Sequence, residues 1–388
     1  MPSTASSLDQ GTLGLYLAVP FCRSKCSFCN FASQVYPAAV YDEYCSLLVR
    51  ELELAVAADA LQGATVDSIY WGGGTPSLLP PAAFARVVEA IRRQFSPAAD
   101  CEHTVEVAPG TLDDAHLAAF AAAGVNRLSF GVQSFVDEEV RAVGRLHRAA
   151  TVWSDLARAR AAGFENINLD LIAGLPHQTP ASWRHSLDAV LTAAVPHVSV
   201  YLLEVDADSR LGSELLAGGA RYHAHSVPDD DLIADAYEIA CETLARGGIA
   251  QYEISNFARP GRESRHNNRY WLRRPYLGLG LDAHSMLETP RPRRFANPDD
   301  LDTYLSALRE HRLPRSAGEW LTPEAAREEF YFLGLRRNAG IELPPAHRLD
   351  AVLARLASDG LLTREANHIA LTPRGRLLSN QVLSEFLA

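Results

Sequence analysis

The chain has 388 residues, of which 47% are hydrophobic, and a formal net charge of −11 at pH 7. Its length fits two domains of ordinary size or one large α/β barrel with an appendage, and its acidic balance argues against general nucleic-acid binding, which requires a basic face. No charged leader precedes an apolar run, and no apolar run approaches the ~18 residues of a membrane span, so we expect a cytoplasmic protein.

Short apolar, β-rich runs alternate with amphipathic helical patterns after a small polar stretch, residues 1–12, that is predicted to be a flexible tail. The predicted strands cover residues 15–19, 66–71, 103–107, 127–132, 167–172 and 198–203, and the predicted helices cover residues 41–57, 81–94, 113–123, 152–162 and 180–193. Strands separated by single helices indicate βαβ units and a parallel sheet. Six such units predict an α/β fold, a partial (β/α)6-type barrel over residues 13–255, with its ligand site at the carboxyl ends of the strands.

The rest of the chain has a different pattern. A helix over 230–246 and an extended segment over 251–255 are predicted to continue or close the barrel layer. Residues 256–320 are rich in Arg, Asn, Gly and aromatic residues and are predicted to form an irregular connecting region. Residues 321–388 show two helices, a hairpin and a last helix, an order typical of a winged helix. Because basic and acidic residues nearly balance there, we expect a structural or docking role for this unit.

Three cysteines, Cys22, Cys26 and Cys29, follow the first predicted strand in the order CxxxCxxC. Thiolates bind soft metals, and cysteine is the usual ligand of iron–sulfur clusters. Three ligands can hold three irons of a [4Fe-4S] cluster and leave the fourth iron open to a small molecule. The alternative is a structural zinc site, which requires four closed ligands and could use Cys45 as the fourth. The spacing favours the open cluster, and both kinds of site indicate reduced thiols.

Other polar motifs follow the later strands. Three consecutive glycines lie in the segment 71–76 (WGGGTP), where missing side chains let the backbone approach a ligand closely. Glu106 ends the third predicted strand, Gln133 follows the fourth, Arg145 lies on the next helix and Asp170 lies inside the fifth strand. Asp170 lies within an apolar run, and a buried carboxylate is costly unless it is paired. A structural ion pair and a ligand contact both remain open for it.

The order of these motifs resembles the radical S-adenosylmethionine (SAM) proteins, and more narrowly the oxygen-independent coproporphyrinogen III oxidase family, from about Tyr16 to the C-terminus. The resemblance implies a [4Fe-4S] cluster on the three cysteines, SAM on the open iron and an electron donor for the cluster; it leaves a homodimer open. The residues that it assigns to SAM are Tyr16, Phe28, Gly73, Gly74, Thr75, Glu106, Gln133, Arg145 and Asp170.

A second motif, HNNRYW at residues 266–271, lies in the predicted irregular region. Imidazole is a common axial ligand of haem iron, and aromatic faces pack on porphyrins. Together with the segment YEISNFARPG at residues 252–261, this motif resembles the HemW-type haem chaperones. The resemblance implies haem bound at His266, with Tyr270 and Trp271 as packing partners, and transfer of the haem to an acceptor protein.

Two features separate the haem chaperones from the oxidases. Phe31 stands where the oxidase pattern has a further cysteine, and 21 residues precede Cys22 where the oxidases have a longer extension. Both favour the chaperone, and the alternative function is a radical SAM enzyme such as oxygen-independent coproporphyrinogen III oxidase. Two departures from the family pattern are Asn30, where Asp is usual, and Asp282, where Gly is usual.

Overall fold

The computed structural model describes residues 11–288, 292–345 and 349–387. The predicted tail lies outside these residues except for its end, where the Thr12 hydroxyl donates a hydrogen bond to Asp67. Across the described ranges, every helix is too short or too polar to cross a lipid bilayer.

The first six strands run in parallel and alternate with helices, as the sequence predicts. The strands are β1 (Leu13–Val19), β2 (Thr65–Gly73), β3 (Ser96–Val107), β4 (Arg127–Gln133), β5 (Ile167–Ala173) and β6 (His197–Leu202). The helices of this part are α1 (Ala39–Ala58), α2 (Pro81–Gln94), α3 (Asp114–Ala122), α4 (Asp137–Ala142), α5 (Ala149–Ala161), α6 (Pro180–Ala193), α7 (Arg210–Ala217) and α8 (Asp230–Arg246).

The segment after α8 extends the same sheet at both edges. Its elements are β7 (Ala250–Glu253), β8 (Asn256–Ala258), α9 (Arg265–Trp271), β9 (Tyr276–Leu279), β10 (His284–Glu288), β11 (Pro292–Ala296), α10 (Leu301–Arg309) and β12 (Glu319–Trp320). The strand order is β12-β11-β10-β9-β1-β2-β3-β4-β5-β6-β8-β7, with β9 parallel to β1 and the other added strands antiparallel. In the described residues the sheet is therefore an open, partial barrel, which confirms the predicted fold class.

The two faces of the parallel strands differ in chemistry. Alternate residues of β1, such as Leu15 and Leu17, join the helices in one large hydrophobic core. The opposite face is polar: Tyr16 pairs in register with Tyr70, Tyr70 with Thr104, and Thr104 with Arg127. A closed barrel of this kind usually fills its interior with branched apolar side chains. The polar inner face of this sheet is instead suited to a polar ligand.

The segment 256–320 contains regular elements, although its sequence reads as irregular. Its strands are two to five residues long, too short for a periodic pattern to be recognised. Helix α9 lies against the inner face near the amino ends of the strands. The Glu102 carboxylate accepts hydrogen bonds from the backbone N–H groups of Arg265 and His266, and Arg269 forms a buried ion pair with Asp67. Helix α9 thus covers one end of the barrel interior.

The C-terminal unit has the predicted winged-helix-like order and its own hydrophobic core. It comprises α11 (Pro323–Gly334), β13 (Ile341–Glu342), α12 (Asp350–Ser358), β14 (Leu362–Glu365), β15 (His368–Leu371), α13 (Pro373–Leu377) and α14 (Ser379–Ser384), with strand order β13-β15-β14. Glu329 of α11 accepts hydrogen bonds from Arg273 and Arg294. These contacts attach the unit to the segment that follows α9.

Candidate functional site

The cysteine loop follows β1 at the carboxyl edge of the sheet and is fixed by backbone hydrogen bonds. The Cys22 N–H donates to the Gln34 carbonyl (2.9 Å), and the Ser27 N–H donates to the Val143 carbonyl (3.1 Å). All three thiols are free, and Cys26 is buried whereas Cys22 and Cys29 are partly exposed. The loop thus presents three reduced thiols with little backbone freedom.

The three thiols are close enough to influence one another. Burial raises the pKa of Cys22 and of Cys29, and each of these rises further because the neighbouring thiols of the loop would also carry negative charge. Three clustered thiols of this kind fit a group that binds and neutralises thiolates, such as a [4Fe-4S] cluster. Cys45, the fourth ligand of the zinc alternative, lies fully buried in the hydrophobic core, where burial raises its pKa to about 12.

Thr75, which follows β2, and Arg145, which lies between α4 and α5, contact this loop. The Thr75 hydroxyl lies 4.0 Å from the Cys22 Sγ, and Arg145 Nη1 lies 3.7 Å from the Cys26 Sγ. Arg145 also donates a hydrogen bond to the Gly131 carbonyl. The Arg145 guanidinium therefore connects the cysteine loop to Gly131 of β4. The structure thus brings the predicted Thr75 and Arg145 to the predicted cluster ligands.

The glycines at the end of β2 and directly after it allow a close backbone approach to the start of the cysteine loop. Gly73 has φ of +98°, a conformation that favours glycine. A Cβ on Gly74 would lie 2.7 Å from the Phe21 carbonyl oxygen and 2.8 Å from the Val19 carbonyl oxygen. A side chain therefore has no room at Gly74, and the backbone of this turn lies directly against the loop.

Two partly exposed carboxylates, Glu106 and Asp170, line the inner face beneath the loop. Glu106 accepts a hydrogen bond from the Tyr70 hydroxyl (2.8 Å), and Asp170 accepts one from Asn168 Nδ2 (2.7 Å). Burial and the neighbouring Asp170 raise the pKa of Glu106 to about 7, and burial raises the pKa of Asp170. Within the described residues, neither carboxylate has an ion-pair partner. A cationic ligand bound beside these carboxyls would stabilise their ionised forms.

Two further polar atoms at this site are buried without a partner in the described residues. They are Gln133 Oε1 and Arg145 Nε, and buried polar atoms without hydrogen bonds are rare in folded proteins. Gln133 also has a φ of +69°, uncommon for a residue with a side chain. Carboxylates, an amide and a guanidinium together fit a ligand such as SAM, which carries a sulfonium, an amino group, a carboxylate and hydroxyls.

The two predicted aromatic contacts lie on different sides of the site. Tyr16 stacks on Tyr70 on the inner face, with ring centroids 6.1 Å apart. Phe28 lies in the cysteine loop and packs against a small apolar cluster that includes Leu203 and Leu211. Tyr16 therefore lies near the Glu106 carboxylate, whereas Phe28 joins the loop to the segments after β6.

His266 lies inside the barrel and is 1% exposed. Its Nδ1 is 3.1 Å from the Ser68 hydroxyl, and its Nε2 is 2.8 Å from the Tyr270 hydroxyl. Its ring stacks on Tyr70 at 5.2 Å. Burial and the nearby Arg269 lower the pKa of His266 to about 3, so the imidazole is neutral and both ring nitrogens have partners.

The other residues of the HNNRYW motif point to different surroundings. Tyr270 packs edge-on against Tyr276 at 4.7 Å, within the covered end of the barrel. Trp271 lies beneath the Arg336 guanidinium, 4.4 Å from its ring centroid, and so contacts the C-terminal unit. The structure does not bring His266, Tyr270 and Trp271 together on one open surface.

Sequence reasoning missed two residues of the inner face, Tyr70 and Arg127. Tyr70 joins His266 to Glu106, and Arg127 is a fully buried cation whose charge acts on Glu106, Asp170 and His266. Tyr70 could have been found from the alternation of side chains along β2, because its side chain lies on the face of the sheet opposite to that of the buried Trp71. Arg127 could have been found in the same way as Asp170, because each is a charged residue within an apolar predicted strand.

The two departures from the family pattern have structural explanations. Asp282 has φ of +58°, which glycine adopts without strain, and this accounts for the usual glycine. Asn30 donates a hydrogen bond to Asp206 (2.7 Å), an interaction that an unprotonated aspartate could not make. Phe31 is 62% exposed, so no internal packing requires an aromatic residue there.

Comparison with known families agrees with this architecture. Residues 16–190 match the model of the radical SAM superfamily, and residues 321–378 match that of the HemN C-terminal domain. The solved structure of coproporphyrinogen III oxidase (HemN) from Escherichia coli superposes with a TM-score of 0.83 and 27% identity, over 97% of this chain and 90% of that chain. The fold and the strand-end site therefore define a radical SAM protein with a HemN-type C-terminal domain.

Curated relatives identify the family within this class. The haem chaperone HemW of Bacillus subtilis is 35% identical over 382 residues, which cover 96% of this chain and 98% of the relative. HemW of Escherichia coli is 32% identical over 395 residues, 97% of this chain and 98% of that relative. Mouse radical S-adenosyl methionine domain-containing protein 1, mitochondrial, is 37% identical over 283 residues, 73% of this chain and 62% of the relative. The chain belongs to the HemW family.

Proposed function

We propose that this protein binds haem and transfers it to an acceptor protein, and that it carries a [4Fe-4S] cluster and exchangeable SAM. The observation that carries the proposal is similarity along nearly the whole chain to relatives named haem chaperones, together with the gathering of the cysteine loop and the polar strand ends at one edge. An electron donor for the cluster and a haem acceptor are the partner proteins that this function requires.

The cluster would be held by Cys22, Cys26 and Cys29. When bound, the cluster supplies a redox centre with one iron open to SAM. Arg145 would lie beside the cluster, since its Nη1 atom is 3.7 Å from the Cys26 Sγ. The residues proposed to contact SAM are Tyr16, Phe28, Gly73, Gly74, Thr75, Glu106, Gln133, Arg145 and Asp170. Among them, the two carboxylates would neutralise the positive charges of SAM.

Haem ligation by His266 remains a prediction with a clear structural requirement. The Nε2 atom must exchange the Tyr270 hydroxyl for iron, because both ring nitrogens already have partners. The test is an anaerobic titration of the full chain with haem, followed by absorbance. If His266 ligates iron, His266→Ala should weaken binding and Tyr270→Phe, which frees Nε2, should strengthen it.

The matched control is His311→Ala, because His311 is exposed and follows α10. An unchanged haem affinity and spectrum in His266→Ala would remove His266 from the haem site. Far-ultraviolet circular dichroism of each variant separates loss of a ligand from loss of the fold, which matters for a buried histidine.

The second candidate function is oxygen-independent coproporphyrinogen III oxidation. The observation in its favour is the superposition on coproporphyrinogen III oxidase (HemN) from Escherichia coli. Anaerobic incubation of reconstituted protein with SAM, a reductant and coproporphyrinogen III decides between the two functions. Formation of protoporphyrinogen IX would support the enzyme, and its absence beside tight haem binding would support the chaperone.

A further inference from the structure

A group of histidines lies at the same edge of the sheet as the cysteine loop, outside the residues discussed so far. His177 lies in the turn after β5, and His223 and His225 follow α7. The Nε2 atom of His177 and the Nδ1 atom of His223 are 3.1 Å apart, and the rings of His223 and His225 are 6.3 Å apart. Three of the 13 histidines of the chain therefore meet at the carboxyl edge of the barrel.

The backbone holds the two facing histidines in position. His177 has φ of +67° and His223 has φ of +60°, conformations that are uncommon for residues with a side chain. The His177 N–H donates to the Ser226 carbonyl (2.9 Å), and the Ser226 N–H donates to the His223 carbonyl (2.9 Å). Glu214 of α7 accepts hydrogen bonds from backbone N–H groups on both sides of His223. The close approach of the two rings is thus built into the loop.

This arrangement leaves one imidazole nitrogen of His223 available. In the tautomer with the proton on Nδ1, His223 donates to His177 and keeps the lone pair on Nε2. Nε2 of His223 has no hydrogen-bond partner among the described residues. Metal-ligating histidines usually have this form, with one nitrogen on the metal and the other held by a hydrogen bond that fixes the ring.

Exposed apolar and basic side chains lie close to His223 along the chain. Leu215 and Leu216 of α7 are 52% and 75% exposed. The Arg221 guanidinium lies 5.3 Å from the Tyr222 ring centroid, and an Arg side chain is a usual partner of a carboxylate such as a propionate. The N–H of Leu211 donates to the Ser27 carbonyl (2.8 Å), so α7 is attached directly to the cysteine loop.

We propose that His223 is the haem-iron ligand in the conformation described here, with His177 as the residue that positions its ring. His223 and His177 are partly exposed, whereas His266 is 1% exposed and has both nitrogens occupied. Iron can therefore reach His223 without displacing any protein group. The inference rests on the proposed haem-binding function and gives that function a second, more accessible ligand.

The test is a titration of anaerobically purified full-length protein with ferric haem, read by absorbance. His223→Ala should lower the haem affinity roughly tenfold or more and remove the bands of imidazole-ligated haem. His177→Ala should lower it less, and His177→Gln, which keeps a hydrogen-bonding side chain, should retain the spectrum. His185→Ala is the control, because His185 is an exposed histidine of α6.

A rescue experiment separates ligation from folding. His223→Gly removes the side chain at a position with φ of +60°, which glycine tolerates, so the loop should keep its conformation. Added imidazole should then restore the wild-type haem spectrum. If His223→Ala and His223→Gly bind haem with unchanged affinity and spectrum, the assignment of His223 is overturned while haem binding stands. If the wild-type chain does not bind haem, the proposed function fails as well.

Discussion

The Glu106 carboxylate on the inner face of the sheet should make both folding stability and SAM binding depend on pH. Burial and the neighbouring Asp170 raise the pKa of Glu106 from 4.5 to about 7, a shift that corresponds to about 3 kcal/mol. A carboxyl whose pKa is higher in the folded state contributes stability below its unfolded pKa. That contribution is lost as the pH rises through about 7, because the charged form must then be buried.

Glu106→Gln removes the charge and keeps an oxygen that accepts the Tyr70 hydroxyl hydrogen bond. We therefore expect nearly equal stability of the two proteins near pH 4.5, and a variant that is more stable by up to about 3 kcal/mol at pH 8. Urea unfolding of the SAM-free protein at several pH values measures this difference. Glu51 is a buried carboxylate whose pKa is also raised to about 7. Because it is present in both proteins, its contribution to the pH dependence cancels in the difference between their unfolding free energies.

SAM affinity should change in the opposite direction. The ionised Glu106 attracts the cationic ligand, so the SAM affinity of the wild type should rise as the pH increases through about 7. Glu106→Gln should bind SAM more weakly, and its affinity should not rise over this pH range. The reasoning is refuted if the difference in unfolding free energy between the two proteins stays constant from pH 5 to pH 8, since the carboxyl would then have an ordinary pKa.

Three further substitutions test the contacts around the site. Gly74→Ala puts a Cβ 2.7 Å from the Phe21 carbonyl oxygen. It should lower the free energy of unfolding by about 1–3 kcal/mol and lower the iron and sulfide content of the purified protein. Wild-type stability and wild-type iron and sulfide content would contradict the close approach. Arg269→Met leaves the Asp67 carboxylate without its buried partner and should lower the free energy of unfolding in urea by about 3–5 kcal/mol. An unchanged free energy of unfolding would show that this ion pair does not stabilise the fold. Tyr70→Phe removes the donor to the site carboxylate and should weaken SAM binding about tenfold by calorimetry; unchanged affinity would exclude a role for this hydrogen bond.

The parallel core of the fold was readable from the sequence because local patterns specify it. Helices α2 and α6 have the predicted bounds, and each has a proline in its first turn, where no intrahelical N–H is needed. The strands were recognised from their buried apolar runs. β3 begins seven residues before the predicted start, because residues 96–102 are mostly exposed and have no run of large apolar side chains that would predict a strand.

The contacts around His266 and around the His177–His223 pair could not be predicted from local sequence patterns. The Nδ1 partner of His266 is Ser68, 198 residues earlier in the chain, and no local pattern reports such a contact. The family resemblance assigns a haem ligand to His266, and this assignment stays a prediction; in the structure the His266 ring is buried and both of its nitrogens have hydrogen-bond partners. His177 and His223 are likewise 46 residues apart, and only the fold of the loops after β5 and β6 brings them together.

The two histidine positions have different consequences for SAM. The His266 ring stacks on Tyr70, whose hydroxyl donates to Glu106, so ligation of iron by His266 must disturb the position of that carboxylate. Binding free energies that share such an element are coupled reciprocally, and SAM would change haem affinity by the same factor as haem changes SAM affinity. Ligation by His223 leaves the stack of His266 on Tyr70 intact, so it does not couple haem binding to SAM binding through Tyr70. Coupling between haem and SAM that depends on Tyr70 is therefore the signature of haem inside the barrel, and haem binding that is independent of Tyr70 is the signature of haem at its edge.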